Sequence, residues 1–155
     1  MSVRLSPDEA WGVLERAHTG ILTTLRRDGW PISLPVWFVV LDRTICIASP
    51  TRTKKMARIA HDDRAAFLVE SGARWAELEA VHVTGRVVIV DSPDEQSRID
   101  AAIDAKYASF RTVRAAMPET AQQQYAAPSI AHFRVVPEGR ILSWDNRRLE
   151  LANQA

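Results

Sequence analysis

Apolar and polar positions along this chain follow two rhythms, one of helical spacing and one of strict alternation. The helical rhythm opens the sequence. In "SPDEAWGVLERA", Trp11, Leu14 and then Ala17 or His18 recur on one side, Ser6 can cap, and Pro7 suits the first helical position. Glu9 stands three residues after Ser6, as in a capping box. From there the period falls to two. "GILTTL", the turn "RRDGWP" centred on Asp28-Gly29, "ISLPVWFVVL", the tight turn "DRT" and "ICIAS" read as an antiparallel meander. "RAAFLVE" and "VHVTGRVVIV" are further strands, and "IAHFRVVP" and "RILSWD" form a closing hairpin across "EG".

A second capped helix is predicted in "SPDEQSRIDAAIDAKYASF", with Ser92, Pro93 and Glu95 at its start and Ile99, Ala102 or Ile103, and Tyr107 on one side. The Ala/Gln-rich stretch 111–128 reads as a helix plus a loop. Six or seven short strands with peripheral helices favour a closed or nearly closed antiparallel barrel, because closure removes exposed edges. The expected class is α+β, mainly β, with residues 1–155 as one domain.

Two segments depart from a plain barrel pattern. The first is "ISLPVWFVV", where Ile32, Leu34, Val36, Phe38 and Val40 fall on one face and Ser33, Pro35, Trp37 and Val39 on the other. A strand apolar on both faces is expected to be buried on both, by the core on one side and by a helix, a second subunit or a flat ligand on the other. Pro35 cannot donate to a ladder, so an interruption there would leave backbone groups free to bind something. A dimer interface without a ligand is the plainer alternative.

The second is "SPTRTKKMARIAHDDRAAFLVE". A helix beginning at Thr51 or Thr53 would turn Met56, Ile59 and Ala60 to the core and put Lys55 and Arg58 on the outer face. Its free first-turn amides, the threonine hydroxyls, Arg52 and Lys55 would converge on one spot suited to an anion. Lys54 and Lys55 oppose the helix dipole by about 0.3–1 kcal/mol unless an anion is there. A phosphate cradle and an ordinary solvated helix face both remain open from this pattern.

Composition narrows the partners. With 46% hydrophobic residues over 155 positions, one real core is affordable. The formal charge of +1, from 20 Lys and Arg against 19 Asp and Glu, provides no basic field for nucleic acid, so any anion site is local. Cys46, the single cysteine, alternates as a buried strand residue, and the four histidines show no metal-ligand spacing. The longest strongly apolar stretch, "LPVWFVVL", is far short of the ~20 residues of a spanning helix, and a cytoplasmic protein is expected.

"LPVWFVV", followed some twenty residues on by "TKKMARIAHDDRAAFLV", resembles the pyridoxamine 5'-phosphate oxidase-like split-barrel superfamily. More narrowly it is similar to the small oxidoreductases that use the deazaflavin coenzyme F420. Thr53-Lys54-Lys55 matches their Ser/Thr-x-Lys element, Asp62-Asp63-Arg64 their Asp-Pro-Arg, and "VHVTGRVVIV" and "GRILSWDNRRL" their later strands. The departures are Ala60 and Asp63, where the pattern often has Leu and Pro, and the 111–128 segment, which can reshape the substrate entrance.

The resemblance implies a homodimer of six- to seven-stranded antiparallel split β-barrels with cofactor sites at the subunit interface. It implies that Thr53 and Lys55 bind the cofactor phosphate with Ser49 and Arg52 close by. The Pro35-Val36-Trp37 backbone would lie against the ring system, and Trp144, with Arg147, would contribute from the C-terminal hairpin. F420 is the implied cofactor and FMN its rival. FMN-using relatives often carry histidine or further polar residues just after the short strand, where this chain has "IASP".

Arg147 and Arg148 are the only C-terminal candidates for a substrate-phosphate site, which speaks against pyridoxamine phosphate oxidation itself. The cofactor would carry the chemistry, and no protein catalytic residue is required. Ser6, Ser33, Ser49 and Ser92 lie in no nucleophile motif, no paired carboxylates stand out, and no metal is implied. His18, His61, His82 and His132 read as surface or strand residues, and Lys106 and Tyr107 as helix-face residues. An F420-dependent reductase, an FMN-binding oxidoreductase and a non-catalytic cofactor carrier are the three functions carried forward.

Overall fold

Ser6 caps the first helix as its position predicts. A computed structural model describes residues 2–125 and 129–149. Helix α1 (Pro7–Arg16) begins with a complete capping box, the Ser6 hydroxyl accepting from the Glu9 amide and the Glu9 carboxylate accepting from the Ser6 N–H at 2.7 Å. Eight strands follow: β1 (Gly20–Leu25), β2 (Pro31–Val36), β3 (Val39–Leu41), β4 (Thr44–Pro50), β5 (Arg64–Ser71), β6 (Glu79–Ile89), β7 (Ile130–Pro137) and β8 (Leu142–Asp145). Helix α2 (Lys54–His61) joins β4 to β5, while α3 (Pro93–Tyr107) and α4 (Glu119–Tyr125) lie between β6 and β7. The last part of the 111–128 segment, residues 126–128, lies outside the described residues.

The strands form one antiparallel sheet in the order β2-β1-β5-β6-β7-β4-β3, with β8 also on β6. Its two ends, β2 and β3, are consecutive in the chain and separated only by Trp37 and Phe38. The sheet therefore curls until its edges meet at that corner without pairing, which is a split barrel. Leu22, Ile45, Ile47, Phe67, Val81, Val83, Phe133 and Val135 fill the inside, and Trp11 and Leu14 of α1 close it. On the outside, Ile99, Ile103 and Tyr107 of α3 cover β3 and β4 over Val39 and the buried Cys46. Gly20 is required by packing, since a Cβ there would meet the Phe67 ring at 2.1 Å.

Four expectations change. "ISLPVWFVVL" is two strands, which raises the count to eight, and the break falls at Trp37-Phe38 rather than at Pro35. Pro31 and Pro35 are tolerated because β2 is an edge strand that pairs only with β1, so their missing N–H groups lie on the unpaired side. Nor is β2 buried on both faces: Val36 is buried, but Leu34 on the same side is 44% exposed, and Ser33 and Pro35 on the other side are exposed. The strands β7 and β8 are not a hairpin, since both run antiparallel to β6 and occupy successive stretches of its edge, Ile89 to Gly85 and then His82 to Glu79. Ala60 is exposed, because Ile59 and the partly buried Met56 already fill the core side of α2.

Candidate functional site

Thr53 is the N-cap of α2, its hydroxyl accepting from the Met56 amide at 3.3 Å. The Lys54 and Lys55 amides lie ahead of this bond and find no acceptor among the described residues. Lys55 is partly buried. Desolvation, and then the nearby Arg58, push its ammonium below the ordinary lysine range, and no carboxylate among the described residues pairs with it. A half-buried cation beside free helix amides is an electrostatic arrangement that an anion completes.

Two clefts meet at Lys55. One, of about 870 Å³, lies between α2 and the β1–β2 hairpin, floored by Ile32 and Leu34. Arg26, Arg27, Lys54, Lys55, Arg58 and His61 line it, without a single carboxylate. Arg58 is aimed by a bond from its Nε to the Thr24 hydroxyl, 2.8 Å long. The other cleft, of about 850 Å³, is largely apolar and is walled by Pro35, Val36 and Trp37, by Ile47 to Pro50, and by Phe110 to Thr112 with Met117 and Ile130. Ser49 is only 2% exposed, yet its hydroxyl makes no hydrogen bond among the described residues and lies at this cleft's wall.

The wall at Trp37 is held from behind. Its indole stacks on the Tyr107 ring with centroids 4.5 Å apart and planes 5° from parallel. The His18 ring sits edge-on to both and to Phe110. At the strand break the Phe38 backbone is not free, because the Tyr107 hydroxyl accepts from its N–H at 3.0 Å and donates to its carbonyl at 2.7 Å, sharing that proton with the His18 carbonyl at 2.8 Å.

Of the residues singled out from sequence, Pro35, Val36, Trp37, Ser49 and Lys55 share the apolar cleft, and Thr53 and Lys55 share the basic one. Arg52 is exposed in the turn before α2 and lines neither. Trp144 lies on β8 opposite Ala80, on the outer face of the sheet, and also lines neither. Arg147 is committed to Asp145 and Glu79. Sequence reading missed Arg26 and Arg27, whose only signal is a basic doublet at the rim of a turn, and Phe110 and Ile130, which carry none. In the Asp62-Asp63-Arg64 motif, Asp62 caps the end of α2 and grips the Arg64 guanidinium at 2.7 Å, which lowers its carboxyl to a pKa of about 2. Asp63 instead holds Arg86 at 2.6 Å.

Residues 6–139 match the family model described as pyridoxamine 5'-phosphate oxidase. The chain belongs to that family. Among solved structures, this pyridoxamine 5'-phosphate oxidase-family chain is similar to a conserved hypothetical protein from Mycobacterium tuberculosis, with 25% identity and a TM-score of 0.81 over 99% of this chain and 93% of that one. It also shares its fold with a FAD-binding protein from Mesorhizobium loti, at 20% identity and a TM-score of 0.67, covering 90% and 94% of the two chains. A FAD-binding protein from Mycobacterium smegmatis is similar at 20% identity and a TM-score of 0.63, covering 90% and 95%. Comparison with curated proteins gives no match. Among the described residues, no helix of this family member is long and apolar enough to cross a membrane, and no group of three or more His, Cys, Asp or Glu side chains is placed to hold a metal ion.

Proposed function

We propose that this chain is a cytoplasmic F420-dependent oxidoreductase. The observation that carries the reading is Lys55, a half-buried cation without a carboxylate, standing where an apolar cleft opens into a basic one. A flat ring fits the cleft of Pro35, Val36 and Trp37, a phosphate fits the start of α2, and further negative charge fits the carboxylate-free cleft beyond. FMN ends at its single phosphate. The basic cleft therefore favours a cofactor with a longer anionic tail, such as the carboxylates of F420.

Reduced F420, when bound, supplies a hydride to an electron-poor double bond of a small unsaturated substrate. The chain's own part is positional. The α2 amides, the Thr53 hydroxyl and Lys55 hold the phosphate, Ser49 offers a hydroxyl at the cleft wall, and Trp37, backed by Tyr107, keeps that wall flat and dry. The second reading, a flavin-binding oxidoreductase, rests on the two structural relatives described as FAD-binding.

The proposed assembly is a homodimer. Pro35, Ile21, Leu68, His82 and Leu142 are cross-strand neighbours in one row over the outer face of β2, β1, β5, β6 and β8, and all are partly or fully exposed. Leu142 is 55% exposed, and a second copy would cover this row. Sedimentation as a monomer at micromolar concentration would exclude the dimer.

Titration of the purified protein with F420, FMN and FAD, followed by tryptophan fluorescence, tests the cofactor. Micromolar or tighter F420 binding with weaker flavin binding is expected, and preference for FMN or FAD would move the chain to the flavin reading. Turnover of an activated alkene by the reduced complex separates an enzyme from a carrier.

A further inference from the structure

The apolar cleft holds a second cation. Apart from Lys55, the only charged side chain among the described residues of its lining is Arg111, and no carboxylate lines it. Lys106, near the same end of α3, is not part of this wall. Its Nζ donates to the Phe38 carbonyl at 3.1 Å and lies 4.1 Å over the Phe38 ring, and burial lowers its ammonium to a pKa of about 8.

Arg111 follows Phe110 in the segment that leaves α3, and both line the cleft together with Trp37. Phe110 is held edge-on to His18, with ring centroids 4.4 Å apart, yet it is 58% exposed, and Ile130 on the same cleft is 43% exposed. The cleft therefore offers apolar surface that the chain itself leaves uncovered. Its volume of about 850 Å³ lies toward the top of the ~300–1,000 Å³ typical of small-molecule pockets, which leaves room for a second flat molecule beside a cofactor ring.

The Arg111 guanidinium is engaged, but weakly. Its Nη2 meets the Asp104 carboxylate of α3 at 2.6 Å, and both side chains are at least half exposed, so water screens the pair and its net contribution is small. A ligand carboxylate seated in the apolar cleft would meet the same guanidinium with less water around it. The planar fork of an arginine can take such a group through two parallel bonds, which the point charge of Lys55 cannot. A cationic ligand would instead face two like charges.

We propose that Arg111 selects an acidic substrate, a flat unsaturated molecule whose apolar body lies against Phe110 and Ile130 and whose carboxylate replaces Asp104 on the guanidinium. This names the substrate class of the proposed oxidoreductase and rests on that reading for turnover. The binding step does not require the cofactor.

The test compares trans-cinnamate with its neutral isostere trans-cinnamamide by isothermal titration calorimetry on the full chain, first with inorganic phosphate present to occupy α2 and then with F420. Cinnamate is expected to bind about 10- to 100-fold more tightly than the amide, the worth of one charge-assisted contact. Arg111→Met should remove that preference while leaving the amide's affinity unchanged. Asp104→Asn, which frees the guanidinium, should strengthen cinnamate binding by up to about fivefold.

The proposal is overturned if the parent shows no preference for the acid, if Arg111→Met retains it, or if Asp104→Asn weakens cinnamate binding. It is also overturned if Lys55→Ala, and not Arg111→Met, removes the preference, since the carboxylate would then sit at α2. An Arg111-dependent preference without F420 binding would remove the cofactor reading and leave the acid site standing, and F420 binding without the preference would do the reverse.

Discussion

The Tyr107 hydroxyl satisfies both backbone groups of Phe38, accepting from its N–H at 3.0 Å and donating to its carbonyl at 2.7 Å. The corner between β2 and β3 is thereby kept open without orphaned polar groups, and the Trp37 indole is fixed flat against the same ring.

Tyr107→Phe keeps the stacking and removes all three bonds of the hydroxyl, leaving the Phe38 N–H without a partner while Lys106 still donates to the Phe38 carbonyl. It is expected to lower the unfolding free energy by about 1–3 kcal/mol, the usual cost of leaving buried polar groups unpaired. Urea denaturation reads this directly. A variant as stable as the parent would mean that water reaches the corner.

Lys55→Ala should separate binding from stability. Loss of a charge-assisted contact of about 1.5–3 kcal/mol weakens any phosphate-bearing cofactor by about 10- to 100-fold. The free protein should lose less than about 0.5 kcal/mol or gain, since a half-buried unpaired cation is removed. Unchanged cofactor affinity would dismiss the anion site.

Asp62 governs acid behaviour at the end of α2. Its carboxyl falls from 3.8 to about 2 because Arg64 bonds to it through both side chain and backbone. A lowered carboxylate stabilises above its unfolded pKa and loses that contribution as pH falls through the folded one. Stability should therefore decline between about pH 4 and 2, and Asp62→Asn should be less stable at pH 7 with a shallower decline in that window. Denaturation curves at successive pH values check it.

Lys106 has the opposite sign to a paired lysine. With its folded value at about 8 and its unfolded value at 10.5, the unfolded chain binds more protons between the two, so stability should rise as pH goes from 8 towards 10. Lys106→Met should flatten that rise in thermal melts, and an equal rise in the variant would assign it to another group.

Local chemistry was legible in the sequence wherever neighbours along the chain decide the outcome. The Ser6–Glu9 box, a threonine cap at Thr51 or Thr53, of which the structure uses Thr53, the "GILTTL" strand and the turn at Gly29, whose φ is 83°, all depend on residues within a few positions of one another. The period-two pattern was enough for a closed or nearly closed antiparallel barrel, because many short half-buried strands must enclose one apolar core and leave few edges, while the split form was implied only by the family resemblance.

The rest was settled by contacts between residues far apart in the chain. "ISLPVWFVVL" reads as one strand because alternation is blind to the hydroxyl of Tyr107, 69 residues away, which ends the ladder at Phe38. The closing strands read as a hairpin because nothing local reveals that β6 is long enough to pair both in succession. Arg26 and Arg27 join Lys55 only when the β1–β2 hairpin folds over α2. The sequence by itself determined most of the elements, the barrel class and the threonine-capped start of α2, since these follow from spacing. Only the tertiary structure decided which cations share a cleft and that the partly buried Lys106 amine lies against Phe38, since charge and burial depend on what the fold brings near.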